Sequence, residues 1–284
     1  LIAASPHDIM MNEMPKKMTR KPVVAGQFYT ASEALLKKEI ARFAGQKKEA
    51  KSVLGVVSPH AGYVYSGSVA GEVLSSIKPK PAYIILGPNH TGFGKPFGMD
   101  TDRSWKTPLG EIAIDSIFAE SILSHSEYIK KDSACHDREH SIEVQLPFLQ
   151  YFNKNFTFVP ITISYADKQT YKNIGKEIAR AIKDSKENVT IIASSDMTHY
   201  EGQEPAKKKD MMAIEKILAL DVDGFLATVE KHNISMCGFA PTAVMMEACI
   251  ELGAKTAELI KYNTSGDTSG DYSSVVGYAG IVIY

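Results

Sequence analysis

Apolar runs of strand length alternate with helix-period segments along almost the whole chain, and that alternation leaves few folds open. "SVLGVV" from Ser52, "PAYIILG" from Pro81, "FTFVPITIS" from Phe156 and "NVTIIASSD" from Asn188 are apolar on both faces. A strand with no polar face has to be covered on both sides, which requires a sheet between two helix layers. The intervening segments supply those layers. "SGSVAGEVLSSI" reads as a helix capped by Ser66, and "KQTYKNIGKEIARAI" has clear helical spacing. Two strands around a Pro-Leu-Gly turn, helices near 116–124 and from about Ile142, three later helical segments and two closing strands complete the pattern. The expectation is an α/β fold: a single layered domain over 21–284 with a central mixed, largely parallel sheet flanked by helices on both faces. Residues 1–20 are expected to form a flexible leader.

The chain has 284 residues, 44% of them hydrophobic, enough to bury a core without disulfides or a structural metal. Its formal net charge is -1, with both signs interspersed, so there is no electrostatic footprint for nucleic acid or an anionic membrane. No run approaches the roughly 20 apolar residues of a membrane span. Cys135, Cys237 and Cys249 are widely spaced and odd in number, which does not suit a disulfide framework. The opening residues lack the apolar core of a signal peptide, and a cytoplasmic location is expected.

Three of the apolar runs end alike. One leads into Ser58-Pro59-His60-Ala61-Gly62, one into Gly87-Pro88-Asn89-His90-Thr91-Gly92, and one into Ser194-Ser195-Asp196-Met197-Thr198-His199. In open α/β sheets ligands bind just beyond the carboxyl ends of the strands, so these histidines would meet at one crevice. Each also fits an ordinary loop residue; it is the repetition that points to a site. A fourth piece is "MCGFAP", where Cys237 stands just before a helix that could begin near Pro241, with a dipole favouring thiolate. Imidazoles and a thiolate are ligands suited to Zn, Cu or Fe, and two His with one Cys leave an open coordination position.

"CHDREHSIEVQLPFLQY" is the densest ionisable segment. Either Ser141 caps a helix whose positive end faces Glu139 and Glu143, or His140, and with it Glu143, lines the crevice. "NTSGDTSGDYSS" reads as a polar turn connection, or as a rim over the site offering Asp267, Ser269 and Asp271.

"VAGQFY", "SPHAGYVYSG", "GPNHTG", "W-x-TPLG", "EHSIEVQLPFL", "SSDMTHY", "MCGFAP" and "TSGD", in that order, resemble the Memo family, known in microbes as AmmeMemoRadiSam system protein B. That family is similar in fold to the class III extradiol (LigB-type) non-haem iron dioxygenases. The resemblance implies His60 and His90 as metal ligands, with Cys237 where those enzymes have a carboxylate. It implies His199 as acid/base, with Asp196 beside it to orient it. A thiolate in place of an oxygen ligand shifts preference towards copper or zinc; Fe(II), which the resemblance implies, and Cu lead, and Zn is a third candidate. His140, Tyr63, Tyr65 and Asn89 are expected to contact substrate.

The leading expectation is thus a metal-dependent oxidoreductase acting on a small, aromatic or other, substrate. The alternatives are a non-catalytic module that holds a peptide or small anion in the same crevice, and a metal-free hydrolase using Cys237, His199 and Asp196. Family members in animals are described as binders of phosphotyrosine peptides. The microbial family name implies association with AMMECR1-like and radical-SAM proteins, and a homodimer is expected from enzymes of this size.

Overall fold

The computed structural model describes residues 18–44 and 49–284. Residues 1–17 of the expected leader lie outside the described residues, whereas Thr19 and Arg20 belong to the fold. The first half of the chain forms β1 (Thr19–Arg20), α1 (Glu33–Phe43), β2 (Gly55–Ser58), α2 (Tyr63–Ser75), β3 (Ala82–Pro88), β4 (Gly98–Met99), β5 (Ser104–Thr107), β6 (Gly110–Ala113), α3 (Ser116–His125) and β7 (Lys130–Lys131). The second half forms α4 (Leu146–Phe152), β8 (Thr157–Ile163), α5 (Lys168–Ser185), β9 (Val189–Ser194), β10 (His199–Glu201), α6 (Gln203–Leu218), α7 (Val222–Lys231), α8 (Phe239–Glu251), β11 (Ala257–Thr264), α9 (Gly266–Ser269) and β12 (Val275–Ile283).

The main sheet has nine strands in the order β10-β12-β2-β9-β3-β8-β4-β7, with β11 along the other edge of β12. Its four central strands, β2, β9, β3 and β8, are mutually parallel, and β12, β11, β10 and β4 join antiparallel. The sheet is therefore mixed, with a parallel centre. A separate three-stranded sheet joins β1, β5 and β6. Because the central strands are parallel, Ser58, Pro88 and Ser194 all end at one edge. β9 is inserted between β2 and β3, so the chain crosses over it on the way from β2 to β3. A crevice at that edge follows from the topology.

Both faces are covered, as the two-sided apolar strands require. The packing distance is set by glycines on the strands. A side chain at Gly55 would run into Met245 and Cys249 of α8, and one at Gly280 into Val73 and Val69 of α2. α2, with α1 and α4, covers one face; α8, with α5 and α7, covers the other. Among the described residues no helix is long and apolar enough to cross a membrane.

Two local expectations are corrected. α2 starts at Tyr63 rather than at Ser66, because the Tyr63 N–H finds a partner outside the helix, donating to Phe28 O at 2.7 Å. Ser66 does not cap; its hydroxyl donates to Ala61 O at 2.8 Å. Ser141 caps no helix either: α4 begins only at Leu146, after a 3₁₀ turn over Glu143–Gln145, and no side-chain cap is made there.

Candidate metal centre

Each strand end delivers one piece of the site. β2 runs into Pro59 and His60, which is only 2% exposed. β3 runs into His90, and β9 into the turn that carries Asp196 and His199. Cys237 comes from the loop before α8, and it reaches the end of β9 only because Gly238 has no side chain. A Cβ there would collide with Ser194 O and the Ser195 side chain.

The four pieces converge. Cys237 Sγ lies 3.2 Å from His60 Nε2, and the ligand atoms of His60, His90 and Cys237 all lie within 4.8 Å of one another. Metal–nitrogen and metal–sulfur bonds are about 2.0 and 2.3 Å, so one ion can reach all three. Two further groups within the same limit join Asp196, His199 and Cys237, and His90, Glu139 and His140.

Hydrogen bonds hold the two histidines. His60 Nδ1 pairs with Ser194 Oγ at 2.9 Å. His90 Nδ1 pairs with Glu139 Oε1 at 2.9 Å, and the His90 N–H donates to Glu139 Oε2 at 2.6 Å. His140 stacks on His90 with centroids 4.9 Å apart and stands edge-on to His60 at 5.5 Å. The Gly87 backbone makes room for this segment, since a Cβ would meet Ser141 and Ile142.

Electrostatics match the donor set. Burial pushes His60 well below the usual imidazole value and lowers His140 too, so both are neutral. Burial works against protonation of His90 as well, but the Glu139 carboxylate outweighs it and holds that imidazole above the usual value. For Glu139 burial raises and the bonds to His90 lower; the latter win, and its carboxyl is held down at about 2. Burial, then the charge of Asp196, pushes the Cys237 thiol up. Without a bound cation Cys237 is a thiol, despite its place before α8; a coordinating cation deprotonates such a thiol outright. Burial raises the Asp196 carboxyl, against the backbone N–H of His60.

Asp196 does not orient His199. Its Oδ1 accepts from the backbone N–H groups of His60 at 2.8 Å and Ala61 at 3.3 Å. The His199 ring is set instead by Ser235, whose carbonyl accepts from Nδ1 at 2.8 Å. A cavity of about 290 Å³ opens over the centre, walled by Phe28, Tyr200 and Tyr278 beside His60, His90, His140, Asp196 and His199. Tyr200 has φ 60°, a left-handed backbone that a bulky residue rarely adopts. It falls at an irregularity in the β10–β12 pairing.

The other expected substrate contacts lie elsewhere. Tyr63 is 0% exposed in the core and donates to Val144 O at 2.8 Å, because α2 turns it away from the crevice. Tyr65 is exposed outside the cavity lining. Asn89 shapes the turn after β3, accepting from Thr91 Oγ1 and the Gly92 N–H. Glu143 also faces away, taking Arg20 Nη1 at 2.7 Å and Tyr29 Oη at 2.7 Å. Asp267 and Asp271 accept from Thr264 and Ser273, within their own turn.

Phe28, Tyr200 and Tyr278 were not singled out from the sequence. Phe28 lies in "VAGQFY" and Tyr200 directly follows His199, but aromatic residues at such places carry no chemical signal of their own. Glu139, expected at a helix end, sits behind His90; only the density of "CHDREHSIE" hinted at it.

A family model described as Memo-like protein matches residues 20–282. A MEMO1 family protein of Methanopyrus kandleri is 46% identical over 279 residues, covering 93% of this chain and 99% of the relative. Another, of Methanosarcina acetivorans, is 44% identical, covering 93% and 98%. In fold the chain is similar to an uncharacterized protein of Escherichia coli K12 seen by crystallography. The TM-score is 0.51 at 10% identity, covering 80% of this chain and 98% of that one.

Proposed function

From the fact that the chain belongs to the Memo-like protein family, and from the donor set at its strand ends, we propose that it is a metal-dependent oxidoreductase. His60, His90 and Cys237 hold the ion, and a small, flat, largely uncharged substrate occupies the cavity above. The observation that carries this reading is the 3.2 Å approach of Cys237 Sγ to His60 Nε2, with His90 inside the 4.8 Å limit. Two imidazoles and a thiolate suit Fe(II), Cu or Zn, of which Fe and Cu supply redox chemistry when bound.

The chain's own residues do the rest. Phe28, Tyr200 and Tyr278 offer apolar walls to a ring and exclude water from part of the cavity. His199 donates Nδ1–H to Ser235 O, which leaves Nε2 with a lone pair to accept a substrate proton and return it. A proton carrier placed in this way is typically worth about 10²–10⁴-fold in rate. Asp196 fixes the turn that presents His60 and adds negative charge beside the cation.

The competing readings fare worse on specific grounds. A metal-free cysteine hydrolase needs a thiolate, whereas burial and Asp196 push the Cys237 thiol up, and the imidazole paired with its sulfur is His60 rather than His199. A module for anionic peptides would want permanent cations, and beside its histidines the cavity lining has neither lysine nor arginine.

The test is metal analysis of protein purified without oxygen. Wild type should carry close to one equivalent of a transition metal per chain, and His90→Ala and Cys237→Ser should each lose most of it. Equal metal content in all three proteins would reject the proposal.

A further inference from the structure

Both histidine ligands are held from behind by the same short stretch of chain. Glu139, 1% exposed, receives the backbone N–H and the ring Nδ1 of His90. Its Oε1 also accepts the backbone N–H groups of His140 and Ser141, each at 2.9 Å. The hydroxyl behind His60 is tied to the same stretch: Ser194 Oγ donates to Ser141 O at 2.7 Å and accepts from Gln145 Nε2 at 2.9 Å.

These partners have fixed polarity, and that decides where the ring protons sit. An ionised carboxylate only accepts, so His90 Nδ1 must carry a hydrogen. A carbonyl only accepts, so the single hydroxyl hydrogen of Ser194 is committed to Ser141 O. The Gln145 amide cannot be turned over, because its Nε2 also donates to Pro59 O at 2.9 Å. Ser194 Oγ can therefore only accept from His60 Nδ1. In both rings Nδ1 is protonated, and Nε2 is left with the lone pair. Resting on the metal-site reading above, we propose that Glu139 and Ser194 are positioning residues: segment 139–145, which carries Glu139 and the Ser141 carbonyl that fixes the Ser194 hydroxyl, sets both imidazoles in the tautomer that offers Nε2 to a cation beside Cys237.

The segment is itself braced. Arg20 donates from Nε to His136 O at 2.8 Å and from Nη2 to Glu139 O at 2.7 Å. Its Nη1 meets the buried Glu143 carboxylate, which also takes the Val23 and Val24 N–H groups. A template fixed at so many points can hold two rings to a fraction of an ångström. Partners of this kind behind a metal-ligating histidine typically change affinity by about 10–100-fold when removed.

The experiment uses the full chain, with ¹⁵N-labelled histidine, free of metal and with the pH raised until the His90 ring, which Glu139 holds above the usual imidazole value, is neutral. Proton–nitrogen correlation spectra should show His60 and His90 protonated on Nδ1. Glu139→Gln places an amide N–H against one of the two His90 donors. It should weaken the preference of His90 for the Nδ1-protonated form, because an amide oxygen accepts less strongly than a carboxylate, leave His60 unchanged, and weaken Zn(II) binding about 10–100-fold in competition with a chromophoric chelator. Ser194→Ala, which removes the acceptor of His60 Nδ1, should free the His60 ring and leave His90 as it was. Protonation of either wild-type ring on Nε2, or wild-type Zn(II) affinity in Glu139→Gln, overturns the proposal. If Glu139→Gln does not fold, the wild-type tautomers and Ser194→Ala still decide. Failure of wild type to bind Zn(II) would remove the metal reading, while the spectra alone would judge the positioning role.

Discussion

At the scale of single residues, side chains of the same type take different roles according to where their last polar atom goes. Tyr63 and Tyr200 both follow a strand-end histidine within three residues, yet one is core and the other walls the cavity. Tyr63→Phe leaves the buried Val144 carbonyl without its donor, which should cost about 1 kcal/mol in urea unfolding and leave metal binding unaltered. A loss of metal binding instead would mean that Tyr63 reaches the crevice. The sequence made His60 and His90 legible because they are rare types at repeated strand ends, and Cys237 because it stands just before a helix. It could not separate Tyr63 from Tyr200, since the helix start that decides between them depends on Phe28 O, 35 positions away. For the same reason Asp196 was assigned to its sequence neighbour His199, whereas it serves His60 and Ala61.

At the scale of elements, the long apolar strands β3, β8 and β9 were readable in full, because a run buried on both faces has one explanation. Short pieces were not: β2 covers only Gly55–Ser58 of the apolar run, and the ladder partners of β4, β7 and β10 depend on contacts that no local pattern encodes. The helix layers also depend on glycine as much as on apolar residues. Gly55→Val would drive a side chain into the Met245 and Cys249 sulfurs of α8. Overpacking of this kind should destabilise by about 1–3 kcal/mol, read from the denaturation midpoint. An unchanged midpoint would show that α8 does not pack so closely on β2. Because Ser58 and His60 follow within the next few residues, the same variant should also lower metal occupancy.

At the scale of the whole molecule, a parallel centre with one strand inserted between β2 and β3 places three loops and the α8 entry at one edge. Cys237 lies more than a hundred residues from both histidine ligands in the chain, so a bound ion ties together parts that meet only in the folded state. An ion that binds only the native protein stabilises it by RT ln(1 + [M]/Kd), about 2.7 kcal/mol at a hundredfold excess over Kd. Adding Zn(II) to metal-free protein should therefore raise the melting temperature of wild type and leave that of Cys237→Ser nearly unchanged. Equal shifts in the two proteins would place the binding elsewhere.

The most direct measurement is X-ray absorption at the zinc edge of protein loaded with one equivalent of Zn(II). Convergence of His60, His90 and Cys237 predicts one sulfur neighbour at about 2.3 Å together with imidazole nitrogens at about 2.0–2.1 Å, and loss of the sulfur in Cys237→Ser. A shell of nitrogen and oxygen alone in the wild-type protein would contradict it.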